Sequence, residues 1–112
     1  MGYNEHLAKR IQGALKLFPK EISNEITEKT MFGGLSFLYK NKMTVGIIKE
    51  DLAVRVCADK LEHLLKNKYV RPMDFTKKPM KEFIYVAKGG FETEEELQLW
   101  IELGLEHAQS KL

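Results

Sequence analysis

Cysteine occurs once among the 112 residues, at Cys57, so no disulfide can close within the chain and a reducing compartment is its natural setting. No apolar run approaches the roughly 20 residues that a membrane-spanning helix needs. The N-terminus lacks the basic start, apolar run and cleavage site of a secretory leader. A cytoplasmic protein without a membrane partner is therefore expected.

Histidine is scarce too, with three residues. Cys57 and His63 are the thiol and imidazole nearest in sequence, and their spacing fits no zinc pattern. His6 and His107, near the two ends, read as solvated positions on helix surfaces. No serine falls into a recognisable triad with an acid and a histidine, and Cys57, at the end of a strand, reads as a packing residue. The glycine pairs at 33–34 and 89–90 have neither GxGxxG spacing nor a GK[ST] ending. Repeats and low-complexity segments are missing as well. These absences lead us to expect no catalytic residues, no metal and no cofactor.

What is present suits one folded domain over residues 1–112, with 44% hydrophobic and 30% charged residues. The net charge of +2 conceals an uneven distribution. Residues 1–59 hold nine bases and seven acids, residues 60–81 seven and two, and residues 82–112 two and seven. A basic middle precedes an acidic end.

Apolar residues Leu7, Ile11, Ala14, Leu15 and Phe18 recur at helical spacing, which predicts a helix capped by Asn4 and ended by Pro19. From Ile26 to Phe32 the period becomes two, and Gly33 and Gly34 then offer a sharp reversal. Leu35, Phe37 and Tyr39 alternate with Ser36, Leu38 and Lys40, Asn41 and Lys42 read as a turn, and Met43, Val45 and Ile47 alternate again. After a turn at 49–51, Leu52, Val54 and Val56 point to the core, which places Arg55 on the other face. A short helix is expected over Ala58–Asn67, with Asp59 as its cap, and a strand over Glu82–Ala87.

Thr93 followed by Glu96 is a capping box that opens the final helix, and Glu94 and Glu95 suit its positive end. Its core stripe is Leu97, Trp100, Ile101, Leu105 and Ala108. Leu99 and Leu103 fall outside that stripe and need cover. The plain account is packing against the segment 69–81; the sharper one is a partner or a second subunit.

Residues 69–81 read as one long ordered loop, because Pro72 and Pro79 interrupt it and no period is sustained. Arg71, Lys77, Lys78 and Lys81 interleave with Tyr69, Met73 and Phe75, a mixture able to neutralise phosphates and stack on bases. A loop pinned by its apolar residues is the plainer account. Nucleic-acid binding here is the alternative to a protein partner.

Specific strings carry a family resemblance: KTMFGG from Lys29 to Gly34, LSF from Leu35, LAVRV from Leu52, MDFT from Met73, PMK from Pro79, FIYV from Phe83 and EELQLW from Glu95. Together they resemble the N-terminal domain of the TfoX/Sxy family. The resemblance implies a two-layer α+β fold, similar to the type III secretion chaperone arrangement, with homodimers expected. The elements read from the residues agree: an antiparallel sheet of about five strands with helices packed on it, in the order α-β-β-β-β-α-β-α.

The resemblance further implies a stand-alone domain of a family whose two-domain founders regulate competence and assist transcription, acting through protein contacts. No catalytic residue comes with it. The matched positions Phe32, Gly33, Gly34, Arg55, Met73, Phe75, Pro79 and Met80 serve either the fold or a partner. Glu82 stands where the family pattern leads us to expect glycine.

Overall fold

A computed structural model of the chain describes residues 3–31, 33–72 and 82–112. Helix α1 spans Glu5–Leu15, and the Asn4 side chain caps it by accepting from the Leu7 amide at 3.1 Å. Pro19 does not simply end this helix. It is the N-cap of a one-turn helix, α2 (Lys20–Ser23), which the sequence reading lacked. Proline suits the first turn of a helix because an amide there has no intrahelical partner.

Strands β1 (Ile26–Met31) and β2 (Gly34–Tyr39) form a tight antiparallel hairpin in which Met31 faces Gly34. Gly33 adopts φ of +75° in the reversal, a conformation glycine reaches without Cβ strain. Gly34 meets a different demand, since a Cβ there would stand 2.1 Å from the Ile47 carbonyl oxygen. Phe32 lies outside the described residues.

Strand β3 (Lys42–Ile48) follows a turn at Lys40 and Asn41, whose φ angles are 49° and 69°. Both central positions are left-handed, as the twist of a two-residue hairpin requires. The expected turn at Asn41 and Lys42 is therefore one residue late, because Lys42 already pairs with Tyr39. Strand β4 (Asp51–Arg55) completes a four-strand meander.

A 3-10 turn at Ala58–Lys60 leads into one helical turn, α3 (Leu61–Leu64), where a single helix over Ala58–Asn67 was expected. Asp59 lies inside the 3-10 turn and caps nothing; Cys57 holds that N-cap position, without a side-chain bond. Strand β5 (Val70–Pro72) adds another correction, because it occupies part of the segment read as loop. It pairs antiparallel with β6 (Phe83–Val86), which in turn pairs with β4. Three residues are too few to show alternation, and a proline is tolerated on an edge strand.

The sheet thus has six antiparallel strands in the order β1-β2-β3-β4-β6-β5. The expected α+β class holds, with one strand more than predicted. Helix α4 (Glu94–Ser110) begins at Thr93, whose hydroxyl accepts from the Glu96 amide while the Glu96 carboxylate accepts from the Thr93 amide, both at 3.1 Å.

One face of the sheet carries Leu35, Phe37, Val45, Ile47, Leu52, Val54, Ile84 and Val86 into a core shared with Leu7 and Ile11 of α1 and Leu97, Ile101 and Leu105 of α4. Paired strand residues share a face, so the register explains this set directly. Ala53 and Phe83, on the opposite face, form a smaller cluster with Met43, Ile48 and Tyr85. Among the described residues no helix is long and apolar enough to cross a membrane.

Candidate partner-binding surface

Three contacts fix the rotation of α4. The capping box holds its start, and the Trp100 indole Nε1 donates to the Gly90 carbonyl at 2.8 Å in a buried site. One turn further on, Gly104 lies against the backbone of Thr44. With Trp100, Ile101 and Leu105 turned inward, Leu99 must face outward, where it is 60% exposed. Leu103 is half-buried and packs against the edge of the core.

Leu99 is the ridge between two clefts. The first, about 460 Å³, lies between α3 and α4 and is lined by Leu64, Gly90, Trp100 and Leu103. Lys60 and Glu106 form an ion pair at its rim. This hydrogen bond to Glu106 is the main reason the Lys60 ammonium is pushed above its ordinary value, with burial opposing it. The second cleft, about 540 Å³, lies between α1 and α4 and is lined by Gly13, Ala14, Leu17 and Leu99, with Lys9 and Glu95 at its margins. Leu17 is 78% exposed, so two large apolar side chains border the same cleft.

Arg10 ties the two helices together beside it. Its Nε donates to Glu94 Oε1 at 2.7 Å and its Nη2 to the Phe91 carbonyl at 2.8 Å and the Glu92 carbonyl at 3.2 Å, with the guanidinium 5.9 Å from the Phe91 ring centre. The cleft therefore has a fixed end. Its apolar floor is built on secondary structure, which suits a site that must keep its shape.

The remaining sequence candidates are dispersed. Arg55 lies over the Phe83 ring at 4.9 Å on the face opposite the main core. Burial lowers its pKa, with the charge of Glu82 opposing that shift. Arg71 donates to Asp51 Oδ2 at 2.6 Å and stacks 4.9 Å from the Tyr85 ring. Met73, Phe75, Lys77, Lys78, Pro79, Met80 and Lys81 lie outside the described residues. Cys57 is half-buried.

His107 corrects the sequence reading. It is buried, with its Nε2 2.5 Å from Glu82 Oε1. Its spacing was the available signal: three residues after Gly104 and seven after Trp100, it falls on the inward side of α4. The Glu82 carboxyl is held below its ordinary range, first by the bond from His107 and then by that from Lys111 at 3.1 Å.

The family model for the TfoX N-terminal domain matches residues 20–108. The chain belongs to the TfoX N-terminal domain family. Comparison with curated proteins and with solved structures yields no match. The TfoX match runs from α2 through nearly all of α4 and so includes the Gly33 hairpin, the Arg55 strand and the Leu99 ridge. Helix α1, which supplies the other wall of the second cleft, lies before it.

Within this TfoX domain Glu82 stands where the sequence reading expected glycine. A carboxylate there accepts from a buried histidine and from Lys111, contacts that glycine has no side chain to make.

Proposed function

We propose that this TfoX domain is a cytoplasmic, non-catalytic regulatory module that works by binding another protein through the Leu99 face of α4. The exposure of Leu99 between two apolar clefts is the observation that carries this reading. A large apolar side chain on a rigid helix, ringed by charged residues, is the usual anatomy of a protein contact. Membership in a family whose two-domain founders regulate competence supports a regulatory role. Protein contact is preferred to nucleic-acid contact because Arg71, a cation of the basic segment, already holds Asp51 and Tyr85.

The test compares the purified chain with its Leu99→Asp variant. Light scattering across a concentration series reads self-association, and affinity capture with mass spectrometry reads other partners. A dimer or a captured protein that disappears in Leu99→Asp, while the unfolding midpoint stays the same, supports the proposal. Identical behaviour of the two proteins in both assays refutes it.

A further inference from the structure

At the far end of α4, the start of β3, the end of β4 and the last helical turns enclose a cavity of about 390 Å³ lined by Lys42, Met43, Arg55, His107 and Lys111. Its position follows from a bulge. The register of β2 and β3 shifts between Phe37 and Leu38, leaving Thr44 as the extra residue, with its hydroxyl donating to the Phe37 carbonyl at 2.9 Å. The shift sets Lys42 opposite Tyr39, whose ring belongs to the helix-side core. Lys42 thereby comes to the same corner as the last turns of α4.

Two polar groups in this wall are short of hydrogen-bond partners among the described residues. The His107 side chain is 3% exposed, its Nε2 is used by Glu82, and its Nδ1 is buried with no hydrogen-bond partner among the described residues. Buried ring nitrogens of this kind are nearly always paired, and an unpaired one calls for an explanation. Arg55 is partly desolvated against Phe83, yet among the described residues its guanidinium donates no hydrogen bond. A half-buried guanidinium that feels the Glu82 charge but donates no hydrogen bond among the described residues is open to a charged acceptor.

The charge in the cavity is one-sided. Lys42, Arg55 and Lys111 face it, and the carboxylate beside them is Glu82, bonded to His107 and Lys111. Among the described residues, three cations against one carboxylate leave an excess of two positive charges. The C-terminal end of α4 contributes partial negative charge, which Lys111 offsets at the helix terminus. A planar guanidinium fork and two ammonium groups match the geometry and double charge of a tetrahedral oxyanion. A single carboxylate would neutralise half of the excess. The volume falls at the lower end of small-molecule pockets, enough for a phosphate and a modest organic body.

We propose that this cavity binds the phosphate group of a small phosphorylated molecule. Arg55 supplies the paired donors, Lys42 and Lys111 supply charge from the rim, and the His107 ring forms part of the wall. Glu82 positions the imidazole by accepting from Nε2. The site lies 8 to 12 residues along α4 from Leu99, which is about 12–18 Å at 1.5 Å per residue, so it does not depend on the partner-binding reading.

Titration of the ¹⁵N-labelled chain with inorganic phosphate, followed by amide shifts at constant ionic strength, tests the site; glycerol phosphate and acetate are titrated in parallel. Saturable shifts confined to residues around Lys42, Arg55 and His107–Lys111, produced by either phosphate compound and not by acetate, are expected. Tighter binding of glycerol phosphate than of inorganic phosphate identifies an ester as the ligand; the reverse order identifies the free anion. Removing one charge-assisted donor in Arg55→Gln or Lys42→Gln weakens binding by about tenfold. Lys42 is exposed, so its variant remains informative if Arg55→Gln fails to fold. Shifts that never saturate, that acetate reproduces, or that persist unchanged in Lys42→Gln overturn the proposal.

Discussion

Gly104 of α4 sits so close to Thr44 of β3 that a Cβ on Gly104 would stand 2.5 Å from the Thr44 carbonyl oxygen and 2.7 Å from its carbonyl carbon. The helix is thus seated on the one place where β3 carries an extra residue. The neighbours are backbone atoms in a paired strand, which cannot rotate out of the way.

Gly104→Ala separates two opposed effects. Helix propensity alone would stabilise the variant by about 1 kcal/mol. Forcing α4 away from the bulge costs about 1–3 kcal/mol, as overpacking does in a close-packed interior. The expected result is a lower urea midpoint. A higher midpoint would show that the contact is not a constraint.

Trp100→Phe removes the donor to the Gly90 carbonyl while keeping an aromatic ring in place. The carbonyl then remains buried without its partner, at a cost of about 1–3 kcal/mol. Chemical unfolding monitored by circular dichroism reads the loss. Because this bond sets the rotation of α4, the variant is also expected to change the amide shifts of Leu99 and Leu103.

Glu82 gives the fold a defined dependence on acidity. Its pKa is lowered in the folded state by the bond from His107 and then by that from Lys111. A carboxyl whose folded pKa lies below the unfolded value of about 4.3 adds stability above that pH, and the contribution is lost as pH falls through the folded value. Urea midpoints of the native chain and of Glu82→Gln, measured from pH 3 to pH 7, are expected to differ at neutral pH and to converge on the acid side. A gap that stays constant throughout would dissociate Glu82 from this effect.

The main features of the fold were legible because they repeat. Alternation over 4–7 residues identified the meander, and helical spacing with a capping box identified α4. What escaped was short or non-local. Strand β5 has three residues and α2 one turn, too little for a period to emerge. The Leu99 face was legible as an excess of apolar residues beyond the core stripe, although the clefts beside it depend on α1 and α3, which sequence does not place. The corner around Arg55 and His107 was not legible at all. Its members lie on three elements far apart in the chain, and a β-bulge, itself invisible in the sequence, sets the position of Lys42 among them.

Arg10 offers the sharpest check on the groove between α1 and α4. Its guanidinium spans Glu94 and two backbone carbonyls ahead of α4 through different nitrogens, a pattern one ammonium cannot reproduce. Arg10→Lys keeps the charge and loses the fork, and hydrogen bonds from charged groups are worth about 1.5–3 kcal/mol each when the partner is left without substitute. Lysine recovers part of this by reaching one acceptor, so a destabilisation of about 1–2 kcal/mol is expected. Hydrogen exchange should localise the change to the first turns of α4 and the middle of α1, leaving β3 and β4 as protected as before. Uniform loss of protection across the sheet would mean that Arg10 supports the whole fold rather than this groove.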